Sequence, residues 1–165
     1  MGGRWREKAN IEMLSAQHLY DTDVKVIIKN ADNSNERQCL QIDSLVDEGV
    51  DLLVVSPNDY HALNKSLQRA HDKHIPIVFY DRITAMTDYT AYIGGDNVEA
   101  GRKMAEYAAM LCRDSIKTEG RRPIVLEMSG PSDMSPAVQR HSGFSETMKQ
   151  YPSIEYHHVP GQWSY

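Results

Sequence analysis

Short apolar runs alternate with amphipathic stretches along almost the whole chain. The runs are rich in β-branched residues, which predicts strands. They cover residues 24–28, 52–55, 75–80, 89–93, 123–128 and 154–159. The stretches between them carry apolar residues at spacings near 3.6, which predicts helices, and a further helix is predicted over residues 5–20. Strands that alternate with helices favour βαβ units and a parallel sheet with right-handed crossovers.

The apolar residues of each predicted helix mark the face expected to pack inward. These are Cys39, Ile42, Leu45 and Val46 before Gly49, then Leu63, Leu67 and Ala70, then Ala100, Met104, Ala108 and Leu111, and last Val138, Phe144, Met148 and Tyr151. The run 52–55 is apolar at nearly every position, which is typical of a strand in the middle of a parallel sheet covered by helices. The polar, charged stretch 113–122 predicts a surface linker.

Composition narrows the class of protein. The 165 residues and 18.7 kDa suit one domain of ordinary size, and 41% hydrophobic residues indicate a packed core. No apolar run approaches the ~18–20 residues of a membrane-spanning helix. A net charge of -5 disfavours a nucleic-acid partner. The two cysteines, Cys39 and Cys112, are too few for a disulfide framework.

Polar side chains follow the predicted strands at their carboxyl ends, where open α/β sheets bind ligands. Carboxylate, amide, hydroxyl and guanidinium groups there would suit a sugar, which presents many alternating donors and acceptors. A sugar also has an apolar C–H face that an aromatic ring can cover. The candidate ligand-binding residues are Trp5, Ser56, Asn58, Asp81, Arg82 and Arg140.

Structural alternatives stand beside these assignments. Asp81 and Arg82 are also compatible with an ion pair at a strand end, Arg140 with a solvated helix charge, and Trp5 with a core or interface position. No nucleophile–base pair and no phosphate-binding glycine motif is present, so neither catalytic residues nor a cofactor are expected. No metal site is expected either, because His157 and His158 adjoin on a strand and point to opposite faces.

Four segments together resemble a known family. They are GVDLLVVSPN at 49–58, IPIVFYDR at 75–82, YIGGDN at 92–97 and SPAVQRHSGF at 135–144. In this order and spacing they resemble the type 1 periplasmic sugar-binding proteins, which include ribose-binding proteins and the lac-repressor core. The Trp5-Arg6 start and the Gly161-Gln162-Trp163 close are most similar to extracytoplasmic sensor domains of hybrid two-component regulators.

The resemblance implies two doubly wound α/β lobes that close over one monosaccharide. Asp81 and Arg82 match the family's sugar-contacting Asp-Arg pair, and Arg140 matches the contacting arginine of the second lobe. Ser56 falls where relatives often have Asn, and Trp5 lies near the aromatic of the first helix. The implied role is non-enzymatic carbohydrate sensing in the periplasm, by a domain of an inner-membrane protein that can carry a histidine kinase.

Three alternatives stay open: a soluble receptor of an ABC transporter, the effector core of a lac-repressor-like transcription regulator, and an α/β enzyme acting on sugars or nucleotides.

The family opens with a strand before its first helix, and this chain does not. We therefore expect a fragment, with residues 5–112 as an N-terminal lobe lacking its first strand and 121–165 as the start of the C-terminal lobe. Exposed sheet edges predict a homodimer. Weak or undetectable sugar binding is also expected, because half of the family's sugar-contact shell lies outside such a fragment.

Overall fold

The computed structural model describes residues 4–19, 24–120 and 122–162. The predicted helix end at Tyr20 and the closing Trp163 lie outside these residues. The helices are α1 (Arg4–Gln17), α2 (Asn35–Glu48), α3 (Asn64–Asp72), α4 (Asn97–Glu119) and α5 (Ser135–Met148). The strands are β1 (Leu53–Val55), β2 (Ile77–Tyr80), β3 (Ala91–Ile93), β4 (Ile124–Ser129) and β5 (Glu155–Pro160). Within the described ranges, no helix combines the length and apolar character needed to cross a membrane.

A three-stranded parallel sheet with the order β1-β2-β3 forms the first packed unit. Its core is formed by β1 and β2 with the apolar faces of α2 and α3, and Leu63, Leu67 and Phe79 are fully buried. The predicted inward faces of α2 and α3 are therefore confirmed. Ser34 begins α2 by accepting a hydrogen bond from the Arg37 N–H, and Gly49 ends it in the left-handed region.

The prediction that the 52–55 run lies in the middle of a covered sheet is wrong for this structure. β1 is an edge strand, and although Leu53 and Val55 are buried, Leu52 and Val54 are exposed. Alternate side chains of a strand point to opposite faces, so one face of β1 packs on the core. None of the described helices covers its other face.

The strand predicted over residues 24–28 does not form among the described residues. Val24 and Ile27 are exposed, and the Val26 N–H donates to Gln17 Oε1 on α1 at 2.7 Å instead of to a strand. A β-branched run becomes a strand only when a neighbour supplies the ladder of backbone hydrogen bonds. No described strand pairs with this segment.

A second packed unit consists of β4, β5, α4 and α5. β4 and β5 pair in parallel, from Ile124 beside Glu155 to Ser129 beside Pro160. The core of this unit joins Ala105 and Ala109 of α4 to Phe144, Met148 and Ile154. The predicted inward positions Phe144 and Met148 are therefore confirmed.

Two glycines bring α4 and α5 into backbone contact. A Cβ at Gly101 would lie 2.0 Å from the Arg140 carbonyl oxygen, and one at Gly143 would lie 2.0 Å from the Val98 carbonyl oxygen. The close approach buries the small face of α4 that includes Ala105 and Ala109. The predicted inward face of α4 is wrong, because Met104 is 60% exposed and Leu111 is 55% exposed.

The linker predicted over 113–122 is also wrong, because α4 continues to Glu119 and ends at Gly120, which has φ 64°. The charged residues of that stretch are ordinary helix formers, and the first residue suited to a left-handed cap is the glycine. A lobe boundary after Cys112 would leave α4 in the first lobe. Since α4 packs into the second core, we propose a boundary near Asp96 instead.

Candidate functional site

The loop after β1 is held by one side chain of α2. Gln38 Nε2 donates to the Ser56 carbonyl oxygen at 3.0 Å, and the Asn58 N–H donates to Gln38 Oε1 at 2.9 Å. The side-chain atoms Ser56 Oγ and Asn58 Nδ2 are buried, yet neither has a hydrogen-bond partner among the described residues. Gln38 therefore fixes a loop that holds two buried, unsatisfied polar groups at the end of the strand.

The chain turns sharply where β2 ends. Asp81 adopts a left-handed conformation with φ 63°, while its N–H still donates to the Ile93 carbonyl oxygen of β3 at 2.9 Å. This turn sends Arg82 back toward the loop after β1, where its Nη1 donates to the Asn58 carbonyl oxygen at 3.4 Å. Arg82 Nε lies 3.9 Å from Asp81 Oδ2, and the Arg82 side chain is only 16% exposed.

Positive charge is concentrated beside this turn. Burial lowers the pKa of Arg82, the nearby positive charge of Arg6 on α1 lowers it further, and the carboxylates of Asp81 and Asp133 act in the opposite direction. Arg6 Nη2 is buried and has no hydrogen-bond partner within the described part of the chain. The site thus holds two guanidinium groups and has donor capacity left for a ligand rich in acceptor oxygens.

Arg140 of α5 is positioned by the start of α4. Its Nε donates to Asn97 Oδ1 at 2.9 Å, and Asn97 Nδ2 donates to the Gly95 carbonyl oxygen at 3.2 Å. Asn97 is buried, so this amide is a fixed support for the guanidinium group. The glycine contacts between α4 and α5 are what bring the two side chains together.

The hydroxyl of Tyr92 lies between the two packed units. It donates to the Asp81 carbonyl oxygen at 3.2 Å. Burial raises the pKa of Tyr92, the negative charge of Asp81 raises it as well, and the positive charge of Arg140 lowers it. The Tyr92 hydroxyl also lies 3.4 Å from the Gly95 carbonyl oxygen, which Asn97 contacts as well, so Tyr92, Gly95 and Asn97 link Asp81 to Arg140.

Hydrogen bonds join the loops at this end of the sheets. The Tyr60 N–H donates to the Asp133 carbonyl oxygen at 2.9 Å, and the Ile83 N–H donates to Ser135 Oγ at 3.0 Å. Tyr60 and Ile83 belong to the first unit, whereas Asp133 and Ser135 lead into α5 of the second. The loops after β1, β2 and β4 consequently meet around the polar cluster.

Five of the six predicted site residues lie where the strand-end argument expects them. Ser56, Asn58, Asp81 and Arg82 follow β1 and β2, and Arg140 is linked to the same region through hydrogen bonds of Asn97, Gly95 and Tyr92. The sixth, Trp5, lies in α1, but its side chain is outside the described residues. Their role in binding a ligand stays a prediction.

Sequence reasoning missed three supporting residues, Arg6, Gln38 and Asn97. Arg6 adjoins Trp5 and follows the helical pattern without a distinguishing signal, and Gln38 is one polar residue of an amphipathic helix. Asn97 belongs to the YIGGDN segment, and this segment was the one sequence signal that could have identified it.

A separate surface depression of about 410 Å³ lies at the opposite, amino ends of β2 and β3. Its lining includes His74, Asp88 and Tyr89, and it does not include the polar cluster.

A family profile described as periplasmic binding protein domain matches residues 1–165. The chain belongs to this family. The membership and the parallel α/β fold predicted from the sequence are thereby confirmed. Among relatives of this periplasmic binding protein domain, the ribose import binding protein RbsB of Bacillus subtilis is 30% identical over 127 residues, which are 77% of this chain and 39% of the relative.

Two further relatives agree with this assignment. The D-xylose-binding periplasmic protein of Escherichia coli is 30% identical over 103 residues, which are 62% of this chain and 30% of that protein. The solved fructose binding periplasmic domain of the hybrid two-component system BT1754 superimposes with a TM-score of 0.76 at 33% identity, covering 96% of this chain and 50% of that one. This periplasmic binding protein domain therefore spans half or less of the length of these relatives.

Proposed function

We propose that the polar cluster at the strand ends binds a monosaccharide. The observation that carries this proposal is a set of buried polar atoms without hydrogen-bond partners among the described residues: Arg6 Nη2, Ser56 Oγ and Asn58 Nδ2. A buried polar group left unpaired costs about 1–3 kcal/mol. Sugar hydroxyls, which both donate and accept, are the type of group that would satisfy these atoms once the cluster opens to admit a ligand.

The charged members of the cluster would give the site its selectivity. The Asp81 carboxylate accepts hydrogen bonds from neighbouring hydroxyls, and the planar guanidinium groups of Arg82 and Arg140 donate in a fixed geometry. Asn97 holds Arg140 by its Nε, and among the described residues no partner is found for the two terminal nitrogens of Arg140. These nitrogens are then available to a ligand.

We further propose that the domain senses its sugar outside the cytoplasm as part of a membrane-anchored two-component regulator that acts as a dimer. The relative that supports this role is the fructose binding domain of hybrid two-component system BT1754, at 33% identity. The loop contacts between the two packed units, such as that of Ile83 with Ser135, would respond to a ligand held between them.

The binding site is tested with a panel of D-ribose, D-xylose and D-fructose in thermal-shift and calorimetric titrations. At the high sugar concentrations that weak binding requires, one sugar or more should raise the melting temperature of the wild-type chain, and Asp81→Ala and Arg140→Ala should remove that shift. Arg113→Ala is the matched control, because Arg113 is an exposed arginine of α4 away from the cluster. Sugar-induced shifts that survive both site substitutions would contradict the assignment.

A second candidate is a transport receptor. It is favoured by the 30% identity to the ribose import binding protein of Bacillus subtilis. Deleting the gene in its host separates the two roles. The sensing role predicts loss of sugar-dependent transcription, whereas uptake of labelled sugar stays intact when the uptake genes are expressed from a constitutive promoter. The transport role predicts loss of uptake under the same conditions.

A further inference from the structure

Three metal-ligating side chains converge on the α5-facing side of the β4–β5 sheet. Glu127 of β4 is the register partner of His158 on β5, and His141 of α5 packs over both. One ligand atom from each residue lies within 4.8 Å of the others. The three residues come from three different elements of the second packed unit, so the cluster is created by the fold.

The Glu127 carboxylate is the anchor of this cluster. Its side chain is 10% exposed, and it accepts hydrogen bonds from His141 Nδ1 at 2.8 Å and from the Tyr156 hydroxyl. Burial and the hydrogen bond to Glu127 raise the pKa of Tyr156, so the phenol stays a neutral donor. No lysine or arginine of the described residues forms an ion pair with Glu127.

The two imidazoles lie against each other. The rings of His141 and His158 are stacked, with centroids 3.8 Å apart and planes inclined by 22°. His158 Nε2 is 2.8 Å from Ser129 Oγ. Each imidazole thus places a nitrogen of the type that ligates transition metals beside the Glu127 carboxylate.

We propose that Glu127, His141 and His158 form a binding site for Zn²⁺ or a similar divalent transition-metal ion. One carboxylate and two imidazoles are a donor set that Zn²⁺ uses in proteins, with a fourth position for water. This site is separate from the proposed sugar site and shares no residue with it. Hard cations such as Mg²⁺ and Ca²⁺ prefer oxygen ligands and should bind poorly.

Binding requires two local adjustments. The proton on His141 Nδ1 moves to Nε2, which frees Nδ1 to ligate the ion in place of its hydrogen bond to Glu127. One ring must also turn so that both nitrogen lone pairs aim at one point, and His158, which is exposed, is the member with solvent on one side. The ion would then tie β5 to β4 and α5, so metal binding should stabilise the second unit.

The test is a titration of the 165-residue chain with ZnCl₂, followed by calorimetry and by competition with a fluorescent chelator. His141→Ala and His158→Ala should each weaken Zn²⁺ binding by roughly tenfold or more. His157→Ala is the matched control, since His157 is the neighbouring histidine on the other face, beside Glu155. It should bind Zn²⁺ as the wild type does.

Co²⁺ gives a second readout that does not depend on stability. The wild-type chain and His157→Ala should develop visible d–d absorption bands with Co²⁺, and His158→Ala should not. Circular dichroism spectra of the variants exclude loss of fold as the cause. Absence of saturable Zn²⁺ binding by the wild type, or equal loss in His157→Ala and His158→Ala, would overturn the proposal.

Discussion

Replacing Gly143 with alanine tests whether backbone contact between α4 and α5 positions the second half of the site. Helix propensity alone predicts that Gly143→Ala stabilises α5, by about 1 kcal/mol. The structure predicts the opposite sign, because the added Cβ would lie 2.0 Å from the Val98 carbonyl oxygen and 3.0 Å from the Arg102 nitrogen. Both neighbours are backbone atoms and cannot rotate away as a side chain can.

The magnitude follows from the overlap. A distance of 2.0 Å is far inside any real Cβ contact, so the backbones of α4 and α5 must move apart at this point. Overpacking of a core typically costs about 1–3 kcal/mol, and this rigid contact belongs at the upper end. After the propensity gain, a net loss of about 2 kcal/mol in the free energy of unfolding is expected.

Urea unfolding monitored by circular dichroism at fixed protein concentration measures this loss. Ser142→Ala is the matched control, because Ser142 is the exposed neighbour of Gly143 in α5 and gains helix propensity without meeting α4. It should be neutral or slightly stabilising. A Gly143→Ala variant as stable as the wild type, or more stable, would refute the close helix contact.

Three further predictions concern the site, its charges and the exposed faces. Asn97→Ala removes the acceptor of Arg140 Nε and should weaken monosaccharide binding about tenfold in calorimetry. Val98→Ala, which changes an exposed neighbour, should leave the affinity unchanged. Equal affinities of Asn97→Ala and the wild type would contradict the positioning role. The hydrogen bond from Arg102 lowers the pKa of Glu99 below its ordinary value, so its stabilising effect is present at neutral pH and lost as acid protonates the carboxylate. The difference in urea midpoint between wild type and Glu99→Gln should therefore shrink between pH 7 and pH 3, and a pH-independent difference would refute the pairing. Ile124, Leu126 and Met128, 58–75% exposed on one face of β4, favour self-association, so sedimentation should give twice the 18.7 kDa chain mass, and a strictly monomeric mass would exclude the dimer.

Hydrophobic periodicity was sufficient to predict the buried face of helices that pack through their larger apolar residues. Leu63, Leu67 and Ala70 are all buried, as their helical spacing predicts. The inward face predicted for α4 from hydrophobicity was wrong. Met104 and Leu111 are the larger apolar residues, but the close approach of Gly101 to α5 buries the alanine face instead. The apolar run 24–28 failed for a related reason, because strand formation depends on a partner and not on propensity alone.

The strand-end rule found the residues that follow strands and missed those that reach the cluster through space. Ser56 and Asp81 are located by their place after β1 and β2, whereas Gln38 acts through hydrogen bonds from a helix with no strand nearby in sequence. The cluster of Glu127, His141 and His158 could not be predicted from the sequence, because its members come together only in the folded chain. The sequence shows only that His157 and His158 point apart, not that α5 brings His141 over one of them.

The central claim is that the polar cluster at the ends of β1 and β2, together with Arg140, contacts a monosaccharide. Amide chemical shifts of the ¹⁵N-labelled chain during sugar titration test it most directly, because they detect even millimolar binding and locate it. We predict saturable shifts confined to residues 6, 56, 58, 81–83, 97 and 140 for at least one of D-ribose, D-xylose and D-fructose. No saturable shift with any of these sugars, or shifts centred on the depression beside His74 and Asp88, would contradict the account.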